Sequence, residues 1–163
     1  MRIFSDIAED IMTVVDGDSF LLHKFPLVAK CGRIRGMVGK AVNLSMLELA
    51  GFPGGVPTFE LAMKFCYGIN FPIKTTNVAQ LYCAAEYLEM TEGYGEDNLI
   101  ARTDVFRSEV IHQSLESSVE VLIMCRDSLG YVSEEAGIVE VLCSVYTRLC
   151  DHVNFPGELQ LAY

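Results

Sequence analysis

The stretch Phe59-Glu60-Leu61-Ala62-Met63-Lys64-Phe65-Cys66-Tyr67-Gly68-Ile69 decides the fold, together with Asn77-Val78-Ala79-Gln80-Leu81 and Ala84-Ala85-Glu86-Tyr87-Leu88-Glu89-Met90 a short link later. Phe59, Ala62, Met63 and Cys66 recur at i, i+3, i+4 and i+7, the spacing of one buried helix face. Gly68 ends that helix. Asn77 is placed to cap the next one, with Gln80 completing a capping-box-like pair. That second helix buries Val78, Leu81, Tyr82, Ala85 and Leu88. The strongest signal in the chain is thus a packing pattern of helix, extended link and helix, with no catalytic constellation in it. Such a chain is expected to bind rather than to catalyse.

Working outward, Ile11-Met12-Thr13-Val14-Val15 reads as a buried strand. Asp16-Gly17 is a hairpin turn, because Gly accepts positive φ, and Phe20-Leu21-Leu22 is the returning strand. A helix starts at Phe25-Pro26-Leu27-Val28-Ala29-Lys30, with Pro26 tolerated in its first turn. Gly32 breaks it, and Ile34, Met37 and Val38 suggest a second short helix. Residues 44–49 read as a third strand and Phe52-Pro53-Gly54-Gly55 as a loop. From about residue 96 the pattern is helical. Ile111, Leu115, Val119, Leu122 and Ile123 form one stripe. Ser133 with Glu134 and Glu135 opens a further helix whose face is Ile138, Val141, Leu142, Val145 and Leu149. Residues 151–163, with Pro156-Gly157, look like a tail.

Composition narrows the classes. The chain has 163 residues, 51% of them apolar, enough for one core with a small helical annex. It is too apolar for disorder, and no apolar run approaches the ~20 residues needed to span a bilayer, so membrane insertion is not expected. Met1-Arg2-Ile3-Phe4-Ser5-Asp6 does not read as a signal peptide. Six cysteines, at 31, 66, 83, 125, 143 and 150, contain no C-x-x-C and most fall in apolar segments, which reads as reduced core thiols of an intracellular protein rather than disulfides or metal ligands. The net charge of −10 argues against nucleic-acid binding, whose affinity rests on neutralising phosphates. The charge is uneven: residues 23–40 carry Lys24, Lys30, Arg33, Arg35 and Lys40 with no acid, whereas residues 86–120 are strongly acidic, a balance suited to a basic protein partner.

These residues in this order resemble the BTB (POZ) domain. The resemblance rests on Asp10-Ile11 before the first strand, Phe20-x-x-His23-Lys24 after the hairpin, Phe65-Cys66-Tyr67-Gly68, and Asn77-Val78 through Ala84-Ala85-x-x-Leu88-x-Met90. More narrowly the chain is similar to plant BTB proteins of the non-phototropic hypocotyl and root phototropism family, the phototropic-response BTB proteins. Here the match includes Leu22-His23-Lys24-Phe25-Pro26-Leu27-Val28, Gly32-Arg33-Ile34-Arg35, Pro53-Gly54-Gly55, Lys64-Phe65-Cys66-Tyr67-Gly68-Ile69-Asn70-Phe71 and Ala84-Ala85-Glu86-Tyr87-Leu88-Glu89-Met90-Thr91-Glu92. Asn98-Leu99-x-x-Arg102-Thr103 extends it. The resemblance implies an α+β BTB/POZ fold, a small mixed sheet flanked by short helices and followed by a helical extension. Its expected division is a BTB domain over residues 1–103, the start of a helical region over 104–150 and a tail over 151–163. Members of the family are longer, and the final segment does not resemble their usual continuation, so the chain reads as a shortened form.

The functional expectation is a homodimeric protein-interaction module, also able to pair with related BTB proteins, acting as a substrate adaptor of a cullin-3 RING ubiquitin ligase in plant light and auxin signalling. The rival is a dimeric scaffold that binds phototropin-type kinases without engaging cullin. Either would be cytoplasmic, peripheral at the plasma membrane in the longer family context, with no cofactor. The dimer face is expected to use Phe25, Leu27, Val28 and Cys31 of the first helix, against the alternative of ordinary core packing. By resemblance an Asp10–Lys24 pair lies near it. The cullin surface is implied around Tyr67, Ile69, Asn70 and Phe71, and near Met90, Thr91 and Tyr94; the alternative is that Tyr67 and Phe71 are core residues, Tyr67 with its ring buried and only its hydroxyl exposed. No enzyme is expected. His23, His112 and His152 sit in no metal-binding pattern, His23 reads as a structural hydrogen-bonding group, Cys31 finds no third member of a triad, and Gly54-Gly55 lacks the Lys-Ser/Thr of a phosphate loop.

Overall fold

The computed structural model describes residues 11–40, 44–91, 93, 97–106, 108, 109, 117, 119–121, 123 and 124. Asp10, Tyr94, Cys125, Cys143, Cys150, the two later histidines and the tail lie outside them, as does nearly all of the region expected to be a helical extension.

Two antiparallel strands open the fold, β1 (Ile11–Val15) and β2 (Asp18–Leu22), in a register that closes on the Val15–Asp18 pair. The two residues between them, Asp16 and Gly17, have φ of 50° and 93°. Positive φ at both central positions matches the right-handed twist of a hairpin. Strand β3 (Met46–Leu49) lies parallel on the other side of β1, giving the order β2-β1-β3. A parallel pair needs a crossover, which α1 (Lys24–Lys30) and α2 (Gly32–Lys40) supply. Next come α3 (Gly55–Cys66), α4 (Val78–Tyr87) and α5 (Leu99–Phe106). The result is α+β, a small mixed sheet with several helices, as expected of a BTB fold. Helix α5 runs through the expected domain boundary at 103/104, so no break in the chain marks that point.

The inner face of the sheet (Ile11, Val15, Phe20, Leu22, Leu47 and Leu49) is buried against α3. Phe59 of α3 stands between Phe20 and Phe52, with ring centroids 5.0 and 5.3 Å away. Tilted and edge-to-face contacts of this kind add about 0.5–1.5 kcal/mol each beyond area burial. The stripe read for α3 is the buried one, joined by Thr58 and Phe65.

Three local readings change. Strand β1 is buried on one face only, since Met12 is exposed. Gly32 does not break a helix but begins α2; the break is Cys31, extended at φ −118°, ψ 109°. Gly55 belongs to α3, and the turn before it depends on Gly54, whose φ is +73°. A Cβ on Gly54 would collide with the Thr58 hydroxyl and lie 2.8 Å from Gln80 Cβ.

Gly54→Ala should therefore lower stability by about 2–4 kcal/mol, from left-handed strain plus overpacking. In α2, Gly36→Ala meets nothing within 4 Å and should raise stability by about 0.5–1 kcal/mol through helix propensity. Urea unfolding of the two variants checks both signs, and equal effects would contradict the local geometry.

Candidate interaction surfaces

Helix α1 is short and carries apolar residues at 25, 27 and 28, of which 25 and 27 lie about 160° apart around the helix and face nearly opposite ways. Leu27 takes the inner side and is fully buried, as is Cys31 just beyond the helix end. Their apolar surface belongs to the core of this chain, which removes both from the expected dimer face. Val28 is half-buried and packs against the core. Phe25 points away and is 84% exposed. Lys24 is half-buried, while its expected partner, Asp10, lies outside the described residues.

The second surface begins where α3 ends. The N–H of Ile69 donates to the Lys64 carbonyl at 2.8 Å and that of Gly68 to Phe65 at 3.0 Å, with Gly68 at φ +71°. This is the Schellman arrangement, in which a left-handed glycine satisfies the last carbonyls and turns the chain away. Tyr67, the C-cap, is half-buried. Its hydroxyl accepts a hydrogen bond from the His23 N–H at 2.9 Å and lies 3.0 Å from His23 Nδ1. The hydroxyl is thus engaged within the chain rather than left to solvent, and His23 has the structural role its position suggests. Beyond the turn, Asn70 is exposed and Ile69 half-buried, but Phe71 is buried at 9% exposure, beneath Arg102, whose guanidinium is 5.8 Å from its ring centroid. Phe71 is therefore an anchor of the loop and not its contact surface. Met90 is likewise fully buried, whereas Thr91 is exposed.

Asn77 occupies the N-cap position of α4 without capping it. Its Oδ1 accepts from the Lys74 N–H at 2.8 Å and its Nδ2 donates to the Pro72 carbonyl at 3.2 Å, so the side chain holds the loop before the helix. The cap that does form is Asn98, whose Oδ1 accepts from the Ala101 N–H at 2.9 Å at the start of α5. Between this loop and α5 is an open groove of about 660 Å³ lined by Phe71, Ile73, Arg102, Val105 and Phe106, with the acids Asp97 and Glu109 also in its lining. Val105 is 54% exposed. Sequence reading missed this wall; the signal available was Asn98 directly before an apolar helical segment. It also missed a row on the outer sheet face. Leu21, Met12 and Met46 pair across β2, β1 and β3, and all three are exposed.

No protein-family model matches the chain. Its sequence, however, is similar to BTB/POZ proteins of a plant. A BTB/POZ domain-containing protein of Arabidopsis thaliana is 63% identical over 128 residues, covering 76% of this chain and 21% of that protein. A second from the same organism is 52% identical over 150 residues, 91% of this chain and 24% of the relative. Root phototropism protein 2 of Arabidopsis thaliana is 42% identical over 154 residues, 93% of this chain and 26% of the relative. The chain spans about a fifth to a quarter of the length of these relatives.

Tyr67→Phe removes the acceptor of a part-buried backbone N–H. It should cost about 1–3 kcal/mol, read as a lower denaturation midpoint with unchanged slope. An unchanged midpoint would mean that water replaces the hydroxyl at no cost.

Proposed function

We propose that this chain is the BTB/POZ interaction module of a phototropic-response protein, that it pairs with a second copy or a related module, and that it serves as a substrate adaptor of a cullin-3 ubiquitin ligase in plant light and auxin signalling. The observation that carries this reading is Phe25, a large aromatic side chain left 84% exposed on a short helix whose Leu27 is fully buried on the other side. Single exposed apolar residues are ordinary, but aromatic anchors are enriched where interfaces form. Val28 and Lys24 complete the reduced dimer face, and Asp10 is the proposed partner of Lys24.

The cullin surface in this reading is the loop Ile69-Asn70-Phe71 with Tyr67 behind it, extended by Thr91, Tyr94 and the exposed side of α5. Phe71 and Met90 support it from below. The acidic side chains Asp97 and Glu109 in the lining of the α5 groove suit a basic partner. The module acts in the cytoplasm, peripherally at the plasma membrane where the longer family context brings it there. Among the described residues no helix is long and apolar enough to cross a membrane.

Two measurements separate the parts. Phe25→Ser should leave the unfolding free energy of the chain within about 0.5 kcal/mol of the parent, while shifting sedimentation from dimer toward monomer; an unshifted dimer removes α1 from the interface. Calorimetric titration with a cullin-3 N-terminal domain should give saturable binding at one cullin per chain. Val105→Asp should weaken that binding at least tenfold without unfolding the protein. No binding by a folded dimer would overturn the adaptor reading and leave the kinase-binding scaffold.

A further inference from the structure

The thiols of Cys31 and Cys66 lie 3.5 Å apart, sulfur to sulfur, although 35 residues separate them in the chain. Cys31 sits at the break between α1 and α2, and Cys66 is the last residue of α3. Both are buried, Cys31 completely and Cys66 at 5% exposure. A buried thiol alone behaves as a small inert hydrophobe. Two sulfurs in contact differ, because oxidation at one finds its resolving partner already in place. A disulfide needs an S–S distance of about 2.05 Å. The sulfurs must therefore close by about 1.5 Å, which draws the last turn of α3 toward the α1–α2 junction.

We infer that Cys31 and Cys66 form a peroxide-responsive pair, closing to an intramolecular disulfide when hydrogen peroxide reaches Cys66. Cys66 has the greater exposure and is attacked first. Its sulfur displaces one peroxide oxygen, the O–O bond breaks, and hydroxide leaves and takes up the thiol proton as water, giving a sulfenic acid. The Cys31 sulfur then attacks the Cys66 sulfur. The S–O bond breaks, the S–S bond forms, and a second water leaves with the Cys31 proton. Two sulfurs together give up two electrons, and one peroxide becomes two waters. The hydrogen bond with Cys66, and then burial, hold the Cys31 thiol well above its ordinary pKa. A thiol held protonated is the poorer nucleophile, so Cys31 is not the sulfur that meets peroxide first. The bridge would tie α1, which carries Phe25, to the turn that carries Tyr67, so an oxidant acting in the core would reach both surfaces.

The folded chain is treated with hydrogen peroxide, denatured in an alkylating agent and mapped by peptide mass spectrometry. The expected result is one Cys31–Cys66 cross-link, lower in mass by about two units than the reduced pair, reversed by dithiothreitol, with Cys83 still alkylated in the same sample. Cys31→Ser should leave a persistent sulfenic acid on Cys66 that dimedone captures, whereas Cys66→Ser should leave Cys31 a thiol at the same dose. The wild-type map needs no variant to fold. Two unmodified thiols at 31 and 66, a bridge to any other cysteine, or cross-linking only after unfolding would each overturn the inference.

Discussion

The first turn of α2 is buried against the last turn of α4, and much of the molecule is arranged to make that meeting possible. The N–H groups of Gly32 and Arg33 donate to the carbonyls of Glu89 and Leu88, both at 3.2 Å. Helix ends leave such groups without intrahelical partners, and a buried end must find them elsewhere. Here two ends solve the problem for each other, with the positive pole of one helix against the negative pole of the other. The arrangement has a cost. Glu89 sits at φ +55°, a left-handed conformation that costs a non-glycine residue about 1–2 kcal/mol. The same conformation lets the Met90 N–H reach the Ala85 carbonyl at 2.9 Å and sends the Met90 side chain into the core. The strain at one residue is offset by two inter-helix hydrogen bonds and one fully buried side chain.

Around this junction two basic residues of the first two helices, Lys30 and Arg33, are used internally. Arg33 lies over the Tyr87 ring at 4.1 Å, and Tyr87 in turn stacks edge-on with Phe52 and donates its hydroxyl proton to the Ala50 carbonyl. Lys30 lies over Phe65 at 4.3 Å, while Arg102 approaches the same ring at 5.7 Å. Cation–π contacts contribute about 0.5–2 kcal/mol, more where water is excluded. A segment rich in lysine and arginine and free of acids therefore need not be a docking stripe. Two of its five cations already have aromatic partners inside the fold.

How much of this was legible depended on whether a residue's role was set by its neighbours in sequence or by distant ones. The hairpin at Asp16-Gly17 was legible, because positive φ at a two-residue turn is a local demand. So were the α3 stripe and its end at Gly68. Asn77 was placed correctly but given the wrong partner. Its amide bonds backward to residues 72 and 74, and no local rule chooses between capping forward and stapling backward. Gly32 looked like a breaker because glycine usually is one; what makes it a helix start is the pair of carbonyls arriving from α4, more than fifty positions away. Of the residues expected at a surface, Phe25, Asn70 and Thr91 are exposed. Which of their apolar neighbours face inward was not legible, because Leu27 and Phe71 are no more hydrophobic than Phe25. Their burial follows from α3 and α5, which cover them.

Helix α3 is what relates the two surfaces. On one side Lys30 of α1 reaches the Phe65 carbonyl and ring, and Cys31 meets Cys66; on the other, Gly68 turns the chain into the loop that ends at the buried Phe71. The Tyr67 hydroxyl then returns to His23, the residue just before α1. The entry to α1 and the exit from α3 are thus bonded to each other, and neither surface can shift far without breaking a hydrogen bond that is partly shielded from water. Pre-organisation of this kind lowers the ordering cost that association must otherwise meet. It also explains how Phe71 can be buried while Asn70 beside it is exposed. An anchored ring fixes the backbone on which Ile69 and Asn70 are presented, so the residues that reach outward begin from a conformation already chosen by the core.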